Sequence, residues 1–441
     1  MQPYRAESII VHMPDRIEIH PSGPLRGSIR PPGSKSITNR ALVCAALAEG
    51  QSLLSGALDS EDTRVMMDAL RKLGITVEHD VAANRVSVVG CGGRLPASEA
   101  DLFVANSGTT MRFLTALLAL GHGEYRLDGT PRMRQRPIGD LLEALQGLGV
   151  HAVSRLKNGC PPVVITADGL PGGRTTIAGD VSSQFLSGLL MAAPYARHVV
   201  ELIVEGQLVS RPYVDMTLMV MRSFGVIAPE REPGRFEIAG GRCYKARTYE
   251  IEPDASAASY FFAAAAITQG EVTVERLNRR SVIQGDVAFC DCLEDMGCEI
   301  REGQTHITVV GRPLSGIDVD MNAISDTVQT LAAVALFAEG PTTIRGVAHI
   351  RHKETDRIHA LAVELRKLGA DVEERADGLK ITPRPLRGAE IETYKDHRMA
   401  MSMALVGLAV PGVIIRDPEC VGKTYPEFFR DLATLAATKS S

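Results

Sequence analysis

Leu70-Arg71-Lys72-Leu73-Gly74-Ile75-Thr76-Val77 returns almost unchanged as Leu365-Arg366-Lys367-Leu368-Gly369-Ala370-Asp371-Val372. The same phrase, a helical stretch ending in glycine and then an alternating apolar run, stands in looser form at 145–153, 221–229 and 293–302. Its glycines, Gly74, Gly149, Gly225, Gly297 and Gly369, lie 75, 76, 72 and 72 residues apart by subtraction. Glycine at the end of a periodic helix supplies a left-handed C′ residue, and the alternation after it reads as a strand or hairpin. A second series runs in another phase. Six segments rich in Ala and Leu, at 41–48, 112–120, 185–193, 259–267, 328–338 and 399–410, are apolar nearly all round and read as helices buried on every side. Each follows a polar, cap-like residue: Ser36, Thr109, Ser183, Ser256, Asp326 and Asp396, spaced 73, 74, 73, 70 and 70 residues by subtraction.

The chain therefore reads as six copies of a unit of about 72 residues: buried helix, strand, amphipathic helix ending in glycine, hairpin. The sixth copy runs out of chain before its hairpin, while the N-terminus has a spare one, 16–20 and 25–29 around Pro21-Ser22-Gly23-Pro24. The first strands are expected to complete the last unit, leaving 1–14 dispensable. The expected fold class is α/β, in two domains of three repeated units with buried central helices. An inner domain spans 33–252, and an outer one joins 1–32 to 253–441, with crossings near Pro31-Pro32 and Glu252-Pro253.

The 441 residues carry 48 Lys+Arg against 53 Asp+Glu, a net charge of -5, with 45% hydrophobic and 23% charged residues. Those proportions exclude wholesale disorder and a surface built throughout for polyanions, so any anion site is local. No apolar run approaches the roughly 20 residues of a membrane span, and Arg5, Glu7 and His12 interrupt any signal-peptide core. A cytoplasmic, monomeric protein that binds neither membrane nor nucleic acid is expected. The eight cysteines form no C-x-x-C pair, and the histidines at 349, 352 and 359 stand among cations, so neither a metal nor a cofactor is expected.

Helix N-termini carry positive partial charge and free N–H groups that suit anions. Gly33-Ser34-Lys35-Ser36 with Arg40, Asn106-Ser107-Gly108-Thr109, and Asp180-Val181-Ser182-Ser183-Gln184 open the first three buried helices. Capping accounts for any one Ser or Thr; three matched openings with Gly, Ser and Lys point to ligand binding. The first lacks the G-x-x-x-x-G-K-[ST] of a nucleotide loop, which rejects ATP. The amphipathic helices open with Arg132, Arg134, Arg136, Arg211, Arg351, Lys353 and Lys423, cations that oppose the helix dipole and imply a missing anion. Asp326 and Glu354 are the acid–base candidates. Capping by Asp326, and pairing of Glu354 and Asp356 with Arg357, are the structural alternatives. Asp396-His397-Arg398 is a further trio.

GSKSITNRAL, NSGTTMRFL, PRMRQRPIGDLL, GDVSSQFLSGLLMAAP, VSRPYVDMT, DASAASYF, KETDRI, DHRMAM and GKTYPEFF, in this order, resemble the 5-enolpyruvylshikimate-3-phosphate synthase family from about Arg16 to Leu432. The resemblance implies a fold of the enolpyruvyl transferase type (an inverse α/β barrel) with βαβαββ units, and transfer of the enolpyruvyl group of phosphoenolpyruvate to shikimate 3-phosphate. Carried over by motif, Ser182, Ser183 and Ser210 hold the shikimate phosphate, and Ser36 and Arg40 hold ring substituents and carboxylate, with Tyr213 and Lys353 near. Gln184 serves both substrates. Gly108, Arg136 and Lys423 face the phosphate of phosphoenolpyruvate, Arg357 and Arg398 its carboxylate, and Lys35 lies between the substrates. Asp326 is then the base, and Glu354 or Lys35 the acid. The chain departs from the family pattern at His349, Ser107 and Phe113. A UDP-N-acetylglucosamine enolpyruvyl transferase would carry a Cys in the loop 132–137, which has none. An RNA- or anion-binding module would interleave aromatics with its cations.

Overall fold

A computed structural model describes residues 9–280 and 283–437. The chain forms two compact units, Gly33–Glu252 and Met1–Pro32 with Pro253–Ser441.

The repeat is visible in every unit. Lys35–Leu47 is a helix buried along almost its whole length, followed by the strand Glu49–Ser55, the amphipathic helix Glu61–Lys72 and the hairpin Thr76–Asp80 with Arg85–Cys91. Within that hairpin Val86 and Val88 are buried while Arg85 and Val89 face water, the period-2 pattern of a half-buried sheet. The helix ends in the way the glycine phrase requires. Gly74 has φ +84°, and Ile75 N donates back to Leu70 O. The same backward bond joins Val150 to Leu145, Val226 to Met221, Cys298 to Leu293 and Ala370 to Leu365, each across a left-handed glycine.

Each unit contributes to a four-stranded sheet. In Gly33–Glu252 the orders are Thr248–Glu250, Glu49–Ser55, Arg85–Cys91, Thr76–Asp80; then Glu99–Phe103, His122–Asp128, Val163–Asp168, His151–Ser154; then Gly173–Ala178, Val200–Glu205, Arg235–Ile238, Glu230–Glu232. The first pair of each is parallel and the rest antiparallel. The central helices Lys35–Leu47, Gly108–Leu117 and Ser183–Ala192 pack on one another among these sheets. Close approach needs small residues: a Cβ on Gly188 would stand 3.0 Å from Arg112 O. The other unit repeats the plan around Ala255–Thr268, Val328–Ala335 and His397–Gly407.

The two chain crossings exchange strands. Arg26–Ile29 leads in sequence into the Lys35 helix, yet it pairs in parallel with Glu271–Glu275, beside the Ala255 helix. Thr248–Glu250 leads into the Ala255 helix, yet it pairs with Glu49–Ser55. This corrects the expected N-terminal hairpin. Arg16–Ile19 does complete the sixth sheet, antiparallel to Val413–Arg416, but its hairpin partner is Ile10–Met13. Residues 25–29 belong to the fourth sheet instead, because Pro21 to Pro24 carry the chain across rather than turn it back.

The caps are corrected as well. They stand one or two residues earlier than expected for the first four helices, at Ser34, Ser107, Ser182 and Asp254. Asp254 accepts from Ala257 N at 2.9 Å, while Ser256 donates to the Asp286 carboxylate. Asp396 is a cap, accepting from Arg398 N at 3.0 Å; Asp326 is not one and lies inside the 3-10 turn Asn322–Thr327.

The pairing of Ile10–Met13 with Arg16–Ile19 counts against treating residues 9–14 as dispensable; residues 1–8 of the segment expected to be dispensable lie outside the described residues. Ile10 is buried at 6% exposure. A chain starting at Met13 is expected to lose about 1.5–3 kcal/mol in urea unfolding from that side chain alone, with further loss from the missing ladder. Unchanged unfolding would return the segment to the dispensable class.

Candidate active site

In Gly33–Glu252 four helices meet around Arg40. This guanidinium is 2% exposed, and its bonds go to Thr217 Oγ1 at 2.7 Å, Ser36 O at 2.9 Å, Tyr213 O at 3.0 Å and Ser187 Oγ at 3.5 Å. It lies over the Phe113 ring at 5.1 Å and the Tyr213 ring at 5.9 Å. All four hydrogen-bond acceptors are neutral. Burial pulls its pKa down to about 10, so it stays charged at neutral pH. Arg40 thus ties the Lys35 helix to the Gly108, Ser183 and Arg211 helices through one unneutralised charge.

Lys35 stands at the first turn, 3.8 Å from Asp62 Oδ2. Asp62 was not singled out in the sequence, because an acid in a helix's first turn is ordinary; its 3% side-chain exposure is what marks it. Gly33 before the cap is obligatory, since a Cβ there would meet Gly56 O at 1.9 Å.

The second and third openings are joined directly. Gln184 Nε2 donates to Thr109 Oγ1 at 3.3 Å, and Ser107 and Ser182 cap their helices by accepting from Thr110 N and Gln184 N. Arg136, 4% exposed, donates to Asn106 O at 3.2 Å and crosses the face of Gly108. Ser183 begins its helix, and Ser210 is buried in a left-handed conformation (φ +52°) just before Arg211.

In the other unit, acids and cations alternate. Arg357, 1% exposed, donates to Asp396 Oδ2 at 2.8 Å and Oδ1 at 3.2 Å, to Glu354 Oε2 at 2.9 Å and to Asp326 Oδ1 at 3.4 Å. Asp326 Oδ2 accepts from Arg398 Nη2 at 2.6 Å, and Lys353 Nζ is 3.9 Å from Asp326 Oδ1. Arg398 Nη1 also donates to Tyr260 OH at 3.3 Å. Burial alone would lower the Arg357 pKa, but Asp396, Glu354 and Asp326 outweigh it and raise it. Lys423 is buried at the end of Pro418–Lys423. Asp326, Lys353, Glu354, Arg357 and Arg398 are therefore brought into one network, with Asp396 as a member that the sequence marked only as part of a trio.

Three cations expected to await an anion are already neutralised, which corrects that reading. Arg211 is paired with Glu230 and Asp215, Arg134 with Asp128, and Arg351 with Asp356 and Glu374. Glu230, Asp128 and Glu374 lie in other elements, beyond the reach of a local reading, whereas Asp215 stands one turn along the same helix as Arg211. Among the described residues no group of three or more His, Cys, Asp or Glu is placed to hold a metal ion, and no helix is long and apolar enough to cross a membrane.

One unit sets Lys, Ser and Gly at the openings of its buried helices and the other sets Asp beside buried Arg, a chemistry suited to small charged ligands. Comparisons with known proteins are specific about which. A family model described as EPSP synthase (3-phosphoshikimate 1-carboxyvinyltransferase) matches residues 19–432. A 3-phosphoshikimate 1-carboxyvinyltransferase of Nostoc punctiforme is 50% identical over 417 residues, 94% of this chain and 98% of that one. One from Shewanella sp. (strain W3-18-1) is 48% identical over 423 residues, 95% of this chain and 99% of that one. The solved EPSP synthase of Acinetobacter baumannii superposes with TM-score 0.79 at 28% identity, covering 96% and 98%. The enolpyruvyl transferase NikO of Streptomyces tendae shares the fold, with TM-score 0.73 at 22% identity over 95% and 97%. The chain belongs to the EPSP synthase family and is an enzyme, a 3-phosphoshikimate 1-carboxyvinyltransferase of the shikimate pathway.

His349 is buried beside this network, and burial, then the charge of Lys353, lowers its pKa to about 3. A folded pKa below the unfolded value of roughly 6.5 means that the unfolded chain binds the extra proton between them. Stability is therefore lost as pH falls below about 6.5. His349→Asn removes that term. In urea unfolding the wild type is expected to lose up to about 2 kcal/mol relative to the variant on going from pH 7 to pH 5; parallel pH curves would refute it.

Proposed function

We propose that carboxyvinyl transfer from phosphoenolpyruvate to the 5-hydroxyl of shikimate 3-phosphate runs on the residues just described, through a tetrahedral intermediate held without a covalent bond to the protein. A proton is added to the methylene carbon of phosphoenolpyruvate, leaving positive charge at C2. The hydroxyl oxygen bonds to C2 and gives up its proton. Phosphate then departs while the new methyl group loses a proton, restoring the vinyl group. Asp326 takes the hydroxyl proton, and Glu354 or Lys35 supplies the proton to carbon. Arg357 and Arg398 grip the carboxylate of phosphoenolpyruvate; Gly108, Arg136, Gln184, Lys35 and Lys423 serve its phosphate side. Ser182, Ser183, Gln184 and Ser210 take the shikimate phosphate. Lys35, Ser36, Arg40, Tyr213, Lys353 and Asp326 take the rest of shikimate 3-phosphate.

The observation that carries this reading is Asp326 in the 3-10 turn, oriented by Arg398 at 2.6 Å and Arg357 at 3.4 Å rather than capping a helix. Charge-assisted contacts of this kind hold a base in one orientation. The enzyme is proposed to work as a cytoplasmic monomer without metal or cofactor. Phosphate release with phosphoenolpyruvate and shikimate 3-phosphate, but none with UDP-N-acetylglucosamine, is the expected result; the reverse would reassign the acceptor.

Asp326→Asn is expected to leave substrate binding largely intact and lower turnover by a factor on the order of 10² or more. Near-wild-type turnover in single-turnover and steady-state assays would remove the base role. Gly108→Ala tests the phosphate side. Its Cβ would stand 2.5 Å from Arg136 Nη2, the far end of a flexible side chain, so the guanidinium moves rather than the backbone. The expected result is a KM for phosphoenolpyruvate raised about tenfold with thermal unfolding almost unchanged. An unaltered KM would place Arg136 elsewhere.

A further inference from the structure

Glu364 is a fully buried carboxylate that the reaction does not use. It lies on the helix Arg357–Lys367, seven residues after Arg357, so both project from the same face two turns apart. Its Oε1 accepts from Tyr394 OH at 2.7 Å and Lys367 Nζ at 2.9 Å; its Oε2 accepts from Glu392 N at 3.1 Å and Lys367 Nζ at 2.7 Å. A salt bridge to Lys367 alone would need no contact with 392–394.

The segment it holds is strained. Tyr394 and Lys395 are consecutive non-glycine residues, each with φ +55°, a conformation that persists only when neighbours impose it. The next residue is Asp396, fully buried, whose two oxygens receive Nε and Nη2 of Arg357. The turn is thus fastened at two points to one helix face: through Asp396 to Arg357, and through Glu392 N and Tyr394 OH to Glu364. With the second fastening gone, the left-handed pair is free to relax, and Asp396 moves with it.

We infer that Glu364 is a positioning residue for the carboxylate end of the phosphoenolpyruvate site, holding the strained Tyr394–Lys395 turn so that Asp396 orients Arg357. This rests on the proposed role of Arg357 in gripping that carboxylate. Arg357 is assigned to one substrate's carboxylate, so binding of phosphoenolpyruvate is affected selectively against that of shikimate 3-phosphate, unlike the uniform loss of active protein that a structural residue gives. The kcat can fall as well, because Arg357 also orients Asp326.

The test is steady-state kinetics of the full chain with Glu364→Gln, Tyr394→Phe and Arg357→Lys. Gln keeps the size but turns an amide N–H₂ toward donors; Phe removes one hydroxyl and serves if the first variant folds poorly. Both are expected to raise KM for phosphoenolpyruvate, by on the order of tenfold for Glu364→Gln and less for Tyr394→Phe, with KM for shikimate 3-phosphate within about twofold. Lys395→Gly, which relieves the positive φ, is expected to recover part of the lost affinity in the Glu364→Gln background. The inference is overturned if both brace variants leave KM for phosphoenolpyruvate unchanged while Arg357→Lys raises it, or if the two KM values rise together. An unchanged KM in Arg357→Lys would overturn it together with the reading of Arg357.

Discussion

A guanidinium taken out of water must be given acceptors, and much of the polar architecture of this chain is the consequence of burying several of them, Arg40 and Arg357 most deeply. Desolvating such a charge costs several kcal/mol unless its donors are met. Arg40 and Arg357 solve this in opposite ways. Arg40 is surrounded by a threonine hydroxyl, a serine hydroxyl and two peptide carbonyls, with aromatic rings alongside, so its charge remains uncancelled. Arg357 is enclosed by Asp396, Glu354 and Asp326. The first arrangement stores a positive field for an anion. The second spends its charge on orienting carboxylates, which suits groups that must move protons.

The central helices of the repeats have no polar side to spare. Gly108–Leu117 is buried at every position, and His397–Gly407 likewise. Such a helix presents polarity only at its ends, so function is forced to the openings, where the first-turn N–H groups are also available. The amphipathic helices between them face water on one side, and their excess cations are answered by nearby acids, as Arg211 is by Glu230.

The exchange of Arg26–Ile29 and Thr248–Glu250 shows how a repeat closes when its copies are split by the chain. Every sheet needs a parallel edge strand beside the strand that follows its central helix, and the first unit of each body cannot take it from its own preceding sequence. Each takes it from the far end of the same body. At the crossings, Asp254 N donates to Pro32 O and Ser34 N to Glu252 O, so the swapped segments satisfy each other's backbone.

The spacing of glycines and of all-apolar segments was enough, by itself, to establish six repeats and their buried helices, because helical and strand periodicity are local properties. The hairpin missing from the sixth copy pointed to the N-terminal strands, but the expected pairing of 25–29 with 16–20 is wrong. The ordered motifs carried the family and its reaction. The pairing of Ile10–Met13, the strand exchange, the true caps and the partners of Arg211 and Arg351 were decided only by tertiary structure. So were Asp62 beside Lys35 and Glu364 behind Asp396. A carboxylate in a helix reads identically whether it faces water or a buried turn; what distinguishes the two is the loss of water around it, which follows from residues tens of positions away.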